Sequence, residues 1–240
     1  MSMSLSAARK ETLGEVHAPV FNMNGVADAP ATLNDHLRAL QPFGSRQRFE
    51  RNETIFAEGD PANCVYKVLS GTVRIFRHAA DGRRYVFDFM MPGDLIGFLD
   101  CGNQPVTAEA VTEVTLISYP RSSFDRLAAS SAEVRTRLLG HLSANLLAVQ
   151  QHLFVLGCQN AKERVASFLL RLADRNDVGS GQRLDLTMGR QDIADHLGLT
   201  IETVCRAIAV LRNDKLVTVP NTHQIILNNI SALRAVAIEV

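Results

Sequence analysis

The chain has 240 residues, with 25 Lys and Arg balanced by 25 Asp and Glu, so its formal net charge is zero. That length can bury one large core or two ordinary ones, and a neutral balance gives no global basic field, so any nucleic-acid contact has to rest on local arginines. There is no apolar run of membrane-spanning length, no signal-peptide pattern, and no CxxC pair among Cys64, Cys101, Cys158 and Cys205; this excludes a disulfide framework or zinc ribbon and leads us to expect a cytoplasmic protein without membrane contact.

Residues 1–31 read as a flexible tail, rich in Ser, Ala, Asn and Gly, interrupted by Pro19 and Pro30 and without a period. A short helix is expected over Leu33–Leu40. From Arg48 to Tyr119 the pattern is strand-like. Phe56–Asp60, Val65–Phe76, Tyr85–Phe98 and Val111–Tyr119 alternate or run apolar, with Gly59, Gly71, Gly82, Gly93 and Gly97 between them. Asp81-Gly82 predicts a type I′ hairpin turn. Many short strands with regular turns describe a sandwich or a β-roll, here over residues 32–131.

A long helix is expected from Ala132 to Leu156, with Gly157 marking a break. Leu139, Leu142, Leu146, Val149, Leu153 and Leu156 step alternately by three and four, as a and d positions do. A helix packed on its own roll also wants an apolar stripe. The strict step favours a coiled-coil seam and a parallel homodimer.

Asn160 can cap a further helix, Ala161–Arg175, that buries Val165, Phe168, Leu169 and Leu172. A loop over 176–181 leads to a short strand at 183–187. Then Arg190–Leu211 reads as two helices joined at Gly198. Ile193 and Leu197 share a face of the first helix, Thr200 can cap the second, and Val204, Ile208 and Leu211 turn inward. The outward face carries Ile201, Glu202, Cys205, Arg206 and Ala209. This describes a helix-turn-helix whose second helix can enter the major groove, but also a plain helical hairpin. Leu216–Val219 and Gln224–Leu227 around Pro220–His223 predict a β-hairpin, a wing that separates the two readings. On the outward face Arg206 can donate to guanine and Glu202 can accept from cytosine. The same pair at i, i+4 can also be a surface salt bridge.

Gly198-Leu199-Thr200 followed by Glu202-Thr203-Val204-Cys205-Arg206 resembles the E-x-x-S-R recognition helix of the CRP/FNR family of bacterial regulators. The resemblance runs over about residues 40–230 and is of the FixK-like kind. It implies an α+β fold: a cupin-like, double-sheet β-roll sensor domain (32–131), a long dimerisation helix (132–157) and a C-terminal winged helix-turn-helix (158–240). The implied function is that of a homodimeric transcription activator, not an enzyme, bound to a palindromic promoter site in double-stranded DNA. The implied contacts are Arg190 to phosphate and Thr200, Ile201, Glu202, Cys205 and Arg206 on the reading helix. In the family an Arg at the position of Ile201 accompanies TGTGA-type half-sites and an apolar residue TTGAT-type ones. Inverted TTGAT-like half-sites about 34 Å apart are therefore expected. RNA polymerase would be met by the roll turn Ala79–Arg84 and by the winged domain.

The family's ligands can be tested residue by residue. Cyclic-AMP binders have Gly-Glu after the GD-I segment and Arg-Ser in the next turn. Here Phe98 follows Gly97, the next turn reads Asn103-Gln104-Pro105-Val106, and no Arg lies between Arg84 and Arg121. A buried phosphate would face no cation. Residues 1–63 hold no cysteine, which excludes the family's Fe–S cluster on ligand count. His78 is the only histidine between His36 and His141, too few for haem ligation or a cupin-type metal site, and His141 and His152 read as solvated or packed on the roll. No cofactor, metal or catalytic residue is expected. FixK-like regulators work without an effector, under control of their own synthesis and of direct modification. The alternatives are a roll that takes an uncharged small molecule, or a repressor. Finally, Cys205 stands where most relatives have Ser. It is either a small-residue replacement or a redox switch, since an exposed thiol beside a guanidinium is the kind that oxidises. The second reading implies a low-oxygen or redox response.

Overall fold

The structure is a computed structural model and describes residues 37–98 and 102–238. The expected tail, the start of the expected first helix and Cys101 lie outside the described residues. Leu37–Phe43 forms a 3-10 helix, where an α-helix is expected. Pro42 lies within it and has no N–H to give to an α-helical ladder.

The roll follows as eight strands. Strands β1 (Ser45–Phe49), β8 (Val114–Pro120), β3 (Cys64–Ser70) and β6 (Leu95–Ile96) make one sheet, in that order. Strands β2 (Thr54–Phe56), β7 (Thr107–Ala110), β4 (Val73–His78) and β5 (Arg84–Met90) make the other. Alternation puts Val68, Val73, Ile75, Val114 and Leu116 between the sheets, where all are buried. The turn between β4 and β5 departs from the expected type I′. Among the described residues only Asn52, Asp177 and Lys215 combine a side chain with positive φ, so Asp81 does not, whereas Gly82 does at 82°. Gly82 N donates to Ala79 O (2.9 Å) and Ala79 N to Arg83 O (2.8 Å). This is a type I turn closed by a left-handed glycine, the three-residue form of the hairpin.

Helix α1 (Arg121–Ser130) ends at Ser131, whose hydroxyl accepts from Val134 N (3.3 Å) and caps α2 (Ala132–Cys158). Helix α2 runs through Gly157, the expected break, and stops at the extended Gln159. A glycine weakens a helix by about 1 kcal/mol but does not end it. The stop comes instead from Asn160, whose side chain accepts from Lys162 N (3.0 Å) and Glu163 N (3.2 Å), while Glu163 accepts from Asn160 N (2.8 Å). One side of α2 lies on its own roll: Val134 is buried, and the His141 ring packs edge-on against Phe98 at 5.3 Å. The other side is open. Leu139, Leu146, Val149 and Leu153 are 64, 60, 55 and 63% exposed, with Leu142 and Leu156 half-buried. Packing on the roll therefore involves Val134 and His141, while most of the leucine and valine stripe is left uncovered within the chain.

The C-terminal unit contains α3 (Ala161–Arg175), β9 (Arg183–Asp185), α4 (Arg190–Leu197), α5 (Ile201–Asn213), β10 (Val217–Asn221), β11 (Gln224–Leu227) and α6 (Ile230–Ile238). Its three strands form one antiparallel sheet in the order β10-β11-β9. Helix α6 is not expected from the sequence pattern. Its one local signal is Asn229, whose side chain accepts from Ala232 N at 2.9 Å as an N-cap does.

A single apolar cluster joins the two units. Phe76, Val86, Phe89 and Val111 of the roll pack with Phe168, Ile193 and their neighbours in the C-terminal unit. His196 sits at the centre, 1% exposed. Arg171 Nη2 lies 2.6 Å from its Nε2, and an arginine can only donate, so Nε2 accepts and Nδ1 donates to Val86 O (2.9 Å). Burial, then Arg171 and His152, push the His196 imidazole down to about 3, so it stays neutral. The His152 ring stacks on it at 4.3 Å and meets the Tyr85 hydroxyl at 3.4 Å.

Candidate nucleic-acid interface

Helix α4 begins at Gly189, which has no side chain to cap it. Asp192, in the first turn, compensates by accepting from Gly189 N at 3.3 Å. Its apolar residues Ile193 and Leu197 are buried as expected. The helix ends at Gly198 in the left-handed conformation (φ 61°), open to glycine at little cost. Arg164, on α3, secures this corner. Its guanidinium donates to Leu197 O (2.9 Å), Leu156 O (2.8 Å) and Gln159 O (2.9 Å), tying together the ends of α4 and α2 and the linker. Nothing in the local sequence around Arg164 marks that role.

Thr200 then caps α5, its hydroxyl accepting from Thr203 N at 3.3 Å. Val204, Ala207, Ile208 and Leu211 are buried, which fixes the rotation of the helix. The opposite face presents Glu202, Cys205 and Arg206 exposed and Ile201 half-buried. Among the described residues Glu202 and Arg206 form no ion pair with each other, so the surface salt bridge expected as the alternative is not made. The Glu202 carboxyl is held below the usual range by its own backbone N–H, then by the Thr200 hydroxyl, with a smaller pull from Arg206. It is therefore an ionised acceptor.

Arg190, at the start of α4, is half-buried, and its buried Nη1 has no hydrogen-bond partner. Burial, opposed by the nearby Cys205 thiol, lowers its basicity. A buried guanidinium nitrogen without an acceptor costs free energy that an acceptor would recover. The chain thus brings Arg190, Thr200, Ile201, Glu202, Cys205 and Arg206 to one side of the C-terminal unit, with the wing hairpin β10–β11 in the same sheet as β9.

Elsewhere the structure redistributes expected residues. Arg84, the last residue of the turn expected to meet polymerase, instead reaches α4: Nη2 lies 2.6 Å from Asp192 Oδ1, and Nε donates to Asp195 Oδ2 at 2.7 Å. It leaves Ala79–Arg83 as the exposed tip, with Arg83 paired to Asp81 at 2.7 Å. Arg121, the first arginine after Arg84, donates to the carbonyls of Ala62, Gly97 and Phe98. Cys64 is half-buried in the roll and Cys158 exposed at the end of α2. No described helix is long and apolar enough to cross a membrane, and no cluster of three or more His, Cys, Asp or Glu among the described residues could hold a metal ion.

Comparison with known proteins agrees with this architecture. Residues 46–131 match the cyclic nucleotide-binding domain family and residues 163–236 the Crp-like helix-turn-helix domain family. The chain is 40% identical over 200 residues to the nitrogen fixation regulation protein FixK of Azorhizobium caulinodans, covering 82% of this chain and 81% of that protein. It is 39% identical over 203 residues to the FixK of Rhizobium meliloti, covering 84% and 92%. The structure of FixK2 from Bradyrhizobium japonicum superimposes with a TM-score of 0.77 at 32% identity, covering 82% of this chain and 98% of that one. The two family models match the roll and the winged head in that order, and together with these relatives they place the chain in the CRP/FNR family of DNA-binding transcription regulators, within its FixK-like branch.

Proposed function

We propose that this protein is a homodimeric transcription activator that reads inverted TTGAT-like half-sites, needs no effector, and is switched off by oxidation of Cys205. The observation that carries the DNA reading is the outward face of α5 beside Arg190. It offers an ionised acceptor at Glu202 and a donor at Arg206 that are not spent on each other, and a half-buried guanidinium that lacks an anion. Arg206 takes guanine, Glu202 the cytosine paired with it, Ile201 a thymine methyl, and Arg190 a phosphate. Thr200 holds the helix start against the backbone. The seam Leu139, Leu142, Leu146, Val149, Leu153 and Leu156 joins two copies. Four of these side chains are exposed at heptad spacing, a pattern a second copy would cover.

The effector-free reading rests on Phe98 in place of an acidic residue after Gly97 and on Arg121, whose guanidinium is engaged by three backbone carbonyls. Control then falls to Cys205. It is exposed on the reading face, so a sulfenic or sulfinic acid there would set bulk and charge against the groove. This suits a low-oxygen or redox response. Polymerase would meet the tip Ala79–Arg83, without Arg84.

A mobility-shift titration of purified protein on a palindrome of two TTGAT half-sites tests the reading. Specific binding over a scrambled duplex is expected, with raised transcript output when polymerase is added. No preference over scrambled duplex at low salt would refute the DNA reading. Occupancy with reduced transcript would make the protein a repressor.

A further inference from the structure

The roll and the reading head are joined by ion pairs that run in both directions. From the roll, Arg74 and Arg84 reach the carboxylates of α4. Arg74 Nη1 donates to Asp192 Oδ1 at 3.1 Å, and Arg84 bridges Asp192 and Asp195. From the head, the arginines of α3 reach back. Arg171 pairs with Asp88 at 3.5 Å, and Arg175 pairs with Asp94 and donates to Phe89 O at 3.1 Å. The two sets flank the buried ring cluster of Phe89, Phe168 and His196.

Asp192 is the key residue. One carboxylate oxygen closes the first turn of α4 through Gly189 N, while the other is shared by the two roll arginines. It is buried, as is most of Arg74, so the contact is desolvated and directional, unlike an exposed surface pair. Glu109 on β7 holds Arg74 from behind, and Gln191 holds Asp195 by a 2.6 Å hydrogen bond. The clamp therefore fixes the start of α4, the same turn that carries Arg190. Glu202, Cys205 and Arg206, on α5, take no part in it and stay exposed.

We propose that Asp192 and Asp195 are positioning residues through which Arg74 and Arg84 of the roll hold the reading head in its DNA-binding orientation. The clamp does with fixed charges what a bound effector would otherwise do, and its sign rests on the DNA reading given above. Without it, two heads on one dimer would have to be ordered at the moment of binding, at a cost to affinity.

The test uses the full-length protein in wild-type form and as Arg84→Asp, Asp195→Arg and the double reversal. Two readouts are taken. One is affinity for the palindromic duplex by fluorescence anisotropy. The other is hydrogen exchange of residues 84–90 and 190–197 without DNA. Each single reversal is expected to weaken specific binding tenfold or more and to raise exchange on both sides of the interface. The double reversal is expected to restore both to within about threefold. Recovery in the double reversal would assign the loss to the contact between the two residues and not to either side chain alone. Singles that bind and exchange like wild type would overturn the proposal. So would a loss that the double reversal fails to recover, or singles that bind more tightly, since the contact would then restrain the head. Wild-type protein with no site preference would sink the DNA reading instead, and the exchange data alone would still decide the clamp.

Discussion

Replacing His196 by Gln removes a buried imidazole between the roll and the reading head. It keeps a group that can donate to Val86 O and accept from Arg171. The imidazole titrates near 3 in the folded chain, pushed down first by burial and then by Arg171 and His152, against an ordinary value of 6.5. Between those values the unfolded chain binds a proton that the folded chain refuses, so stability rises with pH across the window. The contribution is complete above about pH 6.5 and is lost as pH falls toward 3, at a slope approaching about 1.4 kcal/mol per pH unit. Integrated from pH 6.5 to 4.5, one such group costs the wild type about 2 kcal/mol. His196→Gln has no proton to take up, so its stability should decline less over that range by this amount. His152 and the carboxylates remain in both proteins and largely cancel. Urea unfolding followed by circular dichroism at fixed protein concentration, in half-unit pH steps, measures the difference. Parallel stability profiles for the two proteins would refute the reasoning, because they would mean that His196 is not held neutral by its surroundings.

Leu146→Glu with Leu153→Glu should yield a monomer in sedimentation equilibrium, since each covered leucine is worth ~1.5–3 kcal/mol and appears twice across the seam; a dimer of unchanged affinity would move the interface elsewhere. Arg206→Ala should cost ~1–3 kcal/mol on the matched site and abolish discrimination at one base pair, measured by competition with single-base variants of the palindrome. Arg190→Ala should weaken all duplexes alike and lower the salt dependence of binding by about one counterion per head, read from the slope of log affinity against log salt concentration. Peroxide should abolish specific binding by the wild type, while Cys205→Ser should keep it after the same treatment; equal sensitivity of the two would assign the oxidation to another residue.

Much of this molecule was written locally. The 3.6-residue spacing of Ile193, Leu197, Val204, Ile208 and Leu211 sets which sides of α4 and α5 are buried, and Gly198 and Thr200 punctuate them. Helix rotation then follows from burial, so Glu202, Cys205 and Arg206 had to face outward. The same holds for the α2 stripe and the strand alternation of the roll, because burial periodicity and turn chemistry are short-range properties. The turn at Gly82 and the run of α2 past Gly157 differ from expectation because one residue type fits two local geometries: a left-handed glycine closes either hairpin form, and a glycine can sit inside a helix as well as end one. The contacts between units were not legible at all. Arg84 belongs, by sequence, to the turn Ala79–Arg84, and nothing local singles out Asp192 or His196. They lie 108 to 112 positions apart in the chain or face each other across different elements, and no pattern within a window of sequence pairs a roll arginine with a particular carboxylate of the head. Which charges meet is decided only when the two units dock, because the free energy of a buried ion pair depends on the position and desolvation of both partners and not on either residue alone.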